Sequence, residues 1–302
     1  MDEIPYTFIS DVCHQFYTFL EVRELTQVGK RWRAAALSHI KRRKELALFL
    51  NYSDEGAWTY HFSIDKQGQY TLEEVLKQLT AHTHFSRFSI NDELVAGVHP
   101  LTKDEHLMVI VEFVMKRFKW RNGMFEFRHG HQESCVSNKC LELLKKFFNC
   151  EFGYLKLVYS GDVTRDFLLK QMEGDHLQSL TLLGIWIPDV KADIMKYCLR
   201  ANCLDFSDYT HSFSLEFTVD DCQAVLERAR TEPRRFDIDV LAAPFSLKDV
   251  DWKYKNADGC EFEYYVDGDK EVCRWETLDT DHIIVFEMDQ DRNLMLFAFA
   301  KA

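Results

Sequence analysis

The sequence predicts an α/β chain: a short helical opening, a long body of alternating strands and helices, and a β-rich end. Three observations carry that reading. Apolar residues recur at helical spacing over the first forty positions. Six short apolar-x-apolar cores then recur at nearly regular intervals, and helix-capping signals of the S/T-x-x-E/D type fall between them.

In chain order, Ile4, Phe8, Val12 and Phe16 step by four, and Leu25, Val28 and Trp32 step by three and four, so residues 4–44 read as helical with one apolar stripe in each set. A unit of that size cannot bury two stripes alone and requires a partner surface. The basic run "KRRK", Lys41 to Lys44, reads as a solvated helix end. The period then changes: "LALFLNY" and "WTYHFSI", joined across "SDEG", predict a β-hairpin.

From Thr71 to about Val240 the strand cores are "FSI" at 88, "FEF" at 125, "LKL" at 155, "LTL" at 180, "LDF" at 204 and "FDI" at 236. An apolar residue stands three positions before three of them, as Phe85, Phe152 and Leu177. That is the L-x-x-L-x-L spacing of a leucine-rich-repeat strand, whose alternate side chains point into the stack. Helix starts are signalled by Thr71 with Glu74, Thr102 with Glu105, Thr218 with Asp221, Thr164 ahead of "RDFLLKQM", and Pro188. Helices interleaved with strands imply parallel pairing, and the shorter repeat lengths suit an arc of stacked βα units. After Pro244, "CEFEYYV" and "EVCRWETL" flank "DGDK" as a hairpin with Asp267 and Gly268 at its turn, and "HIIVFEM" and "LMLFAFA" follow as strands.

Composition excludes several function classes. A formal charge of −12 disfavours a general nucleic-acid or anionic-membrane binder. No apolar run is long enough to span a membrane, no signal peptide is read, and nine unpaired-looking Cys suit a reducing cytoplasm or nucleus. "HGHQESCVSNKC" offers His129, His131, Cys135 and Cys140, but the gaps do not form two zinc knuckles, so no metal or other cofactor is expected. "DFSDYTH" brings Asp205 and Asp208 near Tyr209, yet Asp205 lies between Leu204 and Phe206 and should face solvent from a strand. No nucleophile elbow, phosphate loop or dinucleotide fingerprint is present, which leaves no catalytic residues to assign and predicts a non-enzyme.

Residues 4–40 resemble an F-box, the helical docking module of substrate adaptors in SCF-type cullin-RING ubiquitin ligases. The family's opening Leu-Pro is Ile4-Pro5 here; the next apolar positions are Val12 and Phe16; and its closing Val-x-x-x-Trp is Val28 and Trp32 in "VGKRWR". Glu21-Val22 stands where the family opens its second helix with Asp-Leu. The resemblance implies that Ile4, Pro5, Phe8, Val12, Phe16, Leu25, Val28 and Trp32 form an apolar face for a Skp-type adaptor, which in turn binds the cullin. Leucine-rich repeats behind an F-box are a familiar arrangement in that family.

The expected organisation is therefore an F-box-like module at 1–45, a leucine-rich-repeat-like α/β recognition domain forming a solenoid arc at 46–244, and a β-rich C-terminal cap at 245–302. If Phe88, Phe125, Leu155, Leu180, Leu204 and Phe236 point inward, alternation sends Ser89, Glu126, Lys156, Thr181, Asp205 and Asp237 to the other face, with Arg87, Arg128, Tyr154 and Asp239 extending the row. That concave face, acidic toward its C-terminal end, is the expected seat of a protein target with a basic segment. The rival readings are a protein-binding repeat scaffold without any ligase link, and a thiol hydrolase.

Overall fold

A computed structural model describes residues 5–15, 19–53, 56–80, 82–92, 98–101, 104–116, 123–129, 137–201, 204–209, 215–231, 236–253, 255, 259–277 and 282–300. The fold is mixed α/β, as expected. The chain divides into two compact units, Met1–Cys140 and Leu141–Ala302. The division falls inside the stretch 46–244 expected as one recognition domain.

The first unit opens with three helices, α1 (Tyr6–Gln15), α2 (Phe19–Glu24) and α3 (Lys30–Arg42), with a 3-10 turn at Leu25–Gln27. Their core is Ile9, Cys13, Val22, Ala35 and Ala36, against which Leu25, Trp32 and Ile40 pack. The inward stripe of α1 is thus Ile9 and Cys13, turned by about 100° from the predicted stripe of Phe8 and Val12. The basic run departs from expectation. Lys41 and Arg42 are exposed, but Arg43 is buried and Lys44 begins a strand.

The sheet of this unit contains β1 (Lys44–Tyr52), β2 (Trp58–Ile64), β3 (Gln67–Tyr70), β4 (Thr83–Asp92), β5 (His99–Pro100) and β6 (Met124–His129). β1 and β2 form the predicted antiparallel hairpin, with Tyr52 opposite Trp58. β4 lies parallel to both β1 and β6. A bulge explains the apolar residue at minus three: the register moves from Leu46–Phe85 to Ala47–Arg87, so Ser86 is the extra residue, and Phe85 and Phe88 both reach the core. Phe113 of α5 (Asp104–Met115) packs its ring against Phe62 and Phe85. α4 (Leu72–Gln78) starts at the predicted capping box, in which Thr71 Oγ1 accepts from Glu74 N at 3.2 Å and Thr71 N donates to Glu74 Oε2 at 2.7 Å. Thr102 lies outside the described residues.

The division falls within α6 (Asn138–Lys145). The second unit then runs β7 (Tyr154–Val158), α7 (Asp162–Met172), β8 (Ser179–Leu183), α8 (Lys191–Arg200), β9 (Leu204–Tyr209), α9 (Val219–Thr231) and β10 (Phe236–Leu241). The four strands pair in chain order and all in parallel, without the reversal of a doubly wound sheet. Leu155, Leu180, Phe206 and Ile238 fall in one inward row. Phe152 and Leu177, the other minus-three residues, are fully buried just ahead of their strands. The side chains of Leu204 and Phe236 lie outside the described residues.

Helix starts in this unit match in part. Thr218 and Asp221 make the predicted reciprocal cap, at 2.8 and 3.3 Å. Pro188 opens a 3-10 turn leading into α8. Thr164 is not a cap: α7 begins after Gly161, whose φ of 87° suits glycine, and Thr164 sits in its first turn, donating to the Gly161 carbonyl at 2.9 Å.

One device recurs. Arg200 of α8 donates to the carbonyl of Met172 at the end of α7, and Arg228 of α9 donates through Nε, at 2.6 Å, to the carbonyl of Leu199 at the end of α8. Each helix thus places a guanidinium on the orphan carbonyls and negative pole of the one before it.

The chain ends in β11 (Cys260–Asp267), β12 (Lys270–Thr277), β13 (His282–Met288) and β14 (Asn293–Ala300), an antiparallel meander whose β14 pairs with β10. Its two-residue turn is Gly268–Asp269, with Asp267 still paired to Lys270. Trp252, Trp275 and Phe286 pack edge to face beneath it, with centroids 5.1 to 5.3 Å apart.

Arg200→Ala and Arg228→Ala should each destabilise the second unit by about 1 kcal/mol, through loss of a charge-assisted bond to a helix C-terminus. Urea denaturation of the full chain measures the effect; substituting Arg165, whose ion pairs run to Asp162 and Asp166 on its own helix, should cost less.

Candidate functional site

The first candidate surface is the non-core face of the sheet in the first unit. Alternation sends Leu48, Leu50, Phe88, Ile90, Phe125 and Phe127 inward, and their neighbours to the other side. Pairing then sets Phe49 beside Ser89 and Ser89 beside Glu126, with Asn51, Asn91 and Arg128 as the next row.

Four residues predicted for a target-binding face come together here. Glu126 is the hub. Arg87 reaches its Oε2 through Nε, at 2.9 Å, and through a terminal nitrogen; Arg128 donates to Oε1 at 2.9 Å; and Ser89 donates to Oε2 at 3.3 Å. Two of the four depart from the expected open surface, since Ser89 and Glu126 are only 1% and 2% exposed. The physical reason is the pairing. Two guanidiniums lower the cost of burying the carboxylate and leave the half-exposed Arg87 and Arg128 as the accessible part.

Sequence reasoning missed the rest of this face. Arg87 also stacks on Phe49, 5.2 Å from the ring centroid, and Phe49 stacks on His61 with centroids 4.7 Å apart and ring planes nearly parallel. Asn91 donates to Asn51 at 3.2 Å and accepts from Ser89 at 3.0 Å. Asn51 Nδ2, His61 Nδ1 and Arg128 Nε are buried atoms with no hydrogen-bond partner among the described residues. The sequence signal for this face was thin, since the non-core positions of β1 are Glu45, Ala47, Phe49 and Asn51, only two of them polar.

The remaining residues of the predicted face belong to the second unit. Tyr154, Lys156 and Thr181 occupy outward positions of β7 and β8, with Lys156 opposite Thr181 and Tyr154 donating to Gln178 at 3.2 Å. Asp237 is exposed on β10; Asp239 is half-buried, and burial together with the Asp289 carboxylate pushes its acid up. The side chain of Asp205 lies outside the described residues.

The second candidate surface is the helical module. Pro5, Phe8 and Val28 are exposed, the two side chains Phe8 and Val28 by 54% and 42%. Val12, Leu25 and Trp32 are half-buried, and Trp32 packs on the module's own core. Ile4 and Phe16 lie outside the described residues.

No protein-family model matches the chain, and no curated protein or solved structure matches it. The chemistry of its sites therefore rests on geometry. Among the described residues no group of three or more His, Cys, Asp or Glu side chains could hold a metal ion; His131 and Cys135 lie outside them, and Cys140 is buried in α6. No described helix is long and apolar enough to cross a membrane. Burial pushes the Cys150 thiol up to about 11 and those of Cys198 and Cys273 up to about 12, and it raises Cys222 further. A nucleophilic thiol needs the opposite shift.

Two measurements check this electrostatic picture. Native alkylation near about pH 7 should leave Cys198, Cys222 and Cys273 unmodified while the unfolded chain is fully labelled, as read by peptide mass mapping. Burial, aided by His99, lowers the proton affinity of His61 below its usual 6.5. The unfolded chain therefore binds that proton first, so the stability contributed by neutral His61 is complete above pH 6.5 and is lost as the pH falls below it. His61→Phe, which keeps the ring stack, should flatten the loss of stability seen between about pH 7.5 and about pH 5.5 in urea denaturation.

Proposed function

We propose that the chain is a non-catalytic substrate-recognition subunit of an SCF-type ubiquitin ligase, with an F-box-like module docking on a Skp-type adaptor and a leucine-rich-repeat-like body holding a protein target. One observation carries the reading. The helical module fills its core with Ile9, Cys13, Val22, Ala35 and Ala36, yet keeps Tyr6, Phe8, Val28 and Leu37 between 42% and 54% exposed. Large apolar side chains left bare on one small module suit a surface that another subunit covers.

Two of these, Phe8 and Val28, are positions that the F-box resemblance assigns to adaptor contact. The repeat-like reading of the body draws on the parallel, chain-ordered pairing of β7 to β10 and on the guanidinium bond passed from α8 to α7 and from α9 to α8. The polar face around Glu126 offers the half-exposed Arg87 and Arg128 to acceptor groups of a target. Such a subunit acts by raising the effective concentration of its target near a conjugating enzyme in the cytoplasm or nucleus, and so it requires no nucleophile of its own.

The test is recovery of the adaptor and cullin from cells by the tagged full chain and by Phe8→Asp/Val28→Asp. Both positions are exposed, so the variant should melt within about 2 °C of wild type. Recovery by wild type and its loss in the variant supports the reading. A wild-type chain that never recovers the adaptor belongs to a scaffold without a ligase link.

A further inference from the structure

We propose that a cleft in the second unit, between α9 and the segment 245–253, binds a basic, amphipathic peptide segment of a partner protein. The proposal does not rest on the adaptor reading, because it involves neither the helical module nor any ligase component.

The cleft measures about 770 Å³, the size of a pocket that takes several side chains and far larger than a single bound ion requires. Its lining is of two kinds. Val219, Ala224, Phe245 and Val250 supply apolar surface. Asp220, Glu227, Asp249 and Asp251 supply carboxylates, and among the described residues Lys253 is the one cation lining it. Lys253 is already committed to Glu227, at 3.2 Å. Asp220, Asp249 and Asp251 make no side-chain hydrogen bond or ion pair among the described residues, so three negative charges face the cleft without compensation.

The walls are fixed before any ligand arrives. Gln223, buried in α9, donates to the Asp251 carbonyl at 3.0 Å and accepts from the Lys253 backbone at 3.3 Å. Glu271 accepts from Ser246 Oγ at 2.8 Å and from the Leu247 backbone, and Trp252 Nε1 donates to the Leu247 carbonyl at 3.0 Å. A preorganised site spends little of its binding energy on ordering itself.

Charge and apolar surface together select the occupant. Anions are repelled, despite the positive helix end at Val219. A purely apolar ligand would bury the three carboxylates without partners. Lysine and arginine fit both demands, laying aliphatic stems along Val219, Ala224 and Val250 and placing their cationic heads among the aspartates.

The probe is a fluorescein-labelled Lys-Leu-Arg-Lys-Leu-Arg hexamer, with its Glu-Leu-Glu-Glu-Leu-Glu counterpart as control, titrated with the full chain by fluorescence anisotropy. Three variants of the full chain, each checked for an unchanged thermal melt, separate a local site from the general acidity of the protein. Asp249→Asn/Asp251→Asn should weaken the basic probe about tenfold. Glu142→Gln/Glu173→Gln, which removes the same charge from exposed helix positions elsewhere, should leave it unchanged. Ala224→Trp, which fills the cleft without altering charge, should also abolish tight binding. Equal weakening by both charge variants, or wild-type affinity in Ala224→Trp, would overturn the proposal. So would full competition by spermine at an affinity matching the hexamer, since that would make the occupant a polyamine and not a peptide.

Discussion

In-register pairing of parallel strands is the constraint on which both units depend. In the first unit Leu48, Phe88 and Phe125 form one row and Leu50, Ile90 and Phe127 the next; in the second, Leu155, Leu180, Phe206 and Ile238 align. Each of these side chains is at most 2% exposed. Because the side-chain period of a strand is two, a slip of one residue anywhere would bring Ser89, Glu126, Lys156 or Thr181 into the apolar layer. Among the described parallel pairings the register shifts at Ser86, which lets Phe85 and Phe88 share a face.

The same alternation that builds the core assembles the polar face. Once Phe125 and Phe127 are inward, Glu126 has to stand between Arg87 and Arg128, and the neighbouring strand has to present Ser89 and Asn91. Their hydrogen bonds then hold a buried carboxylate that would otherwise stand without partners. What this face leaves accessible is accordingly limited to what Glu126 does not use, namely the outer edges of two guanidiniums.

Much of this was legible in the sequence, and the remainder was hidden for identifiable reasons. Period-two runs located β1, β2, β4 and β6 to β14 as strands, and the reciprocal caps at Thr71 and Thr218 located two helix starts to the residue. Thr164 misled because Gly161, three residues earlier, supplies the positive-φ turn from which the helix starts. In α1 a stripe at 8 and 12 and a stripe at 9 and 13 differ by one position, and only the packing of Ala35 and Ala36 against Ile9 decides which is inside. Burial of Ser89 and Glu126 depended on cross-strand partners 37 and 39 residues apart, which no local pattern encodes.

The cleft beside α9 was invisible for a deeper reason, and that reason also explains why it exists. α7, α8 and α9 follow one another, each held to the previous helix by an arginine on a C-terminal carbonyl. Arg228 serves the flank of α9 that faces α8. On the other flank no further α-helix follows β10 among the described residues, and the chain passes into segment 245–253 before the antiparallel meander begins. That segment holds only a 3-10 turn, so it spans the helix at Gln223 and Glu227 without covering Val219 and Ala224. Apolar surface at Val219 and Ala224 that a further helix would seal is thereby left open at the end of the row, rimmed by the carboxylates of the segment that stands in its place. The cleft is a consequence of ending a stack of βα units with a β meander.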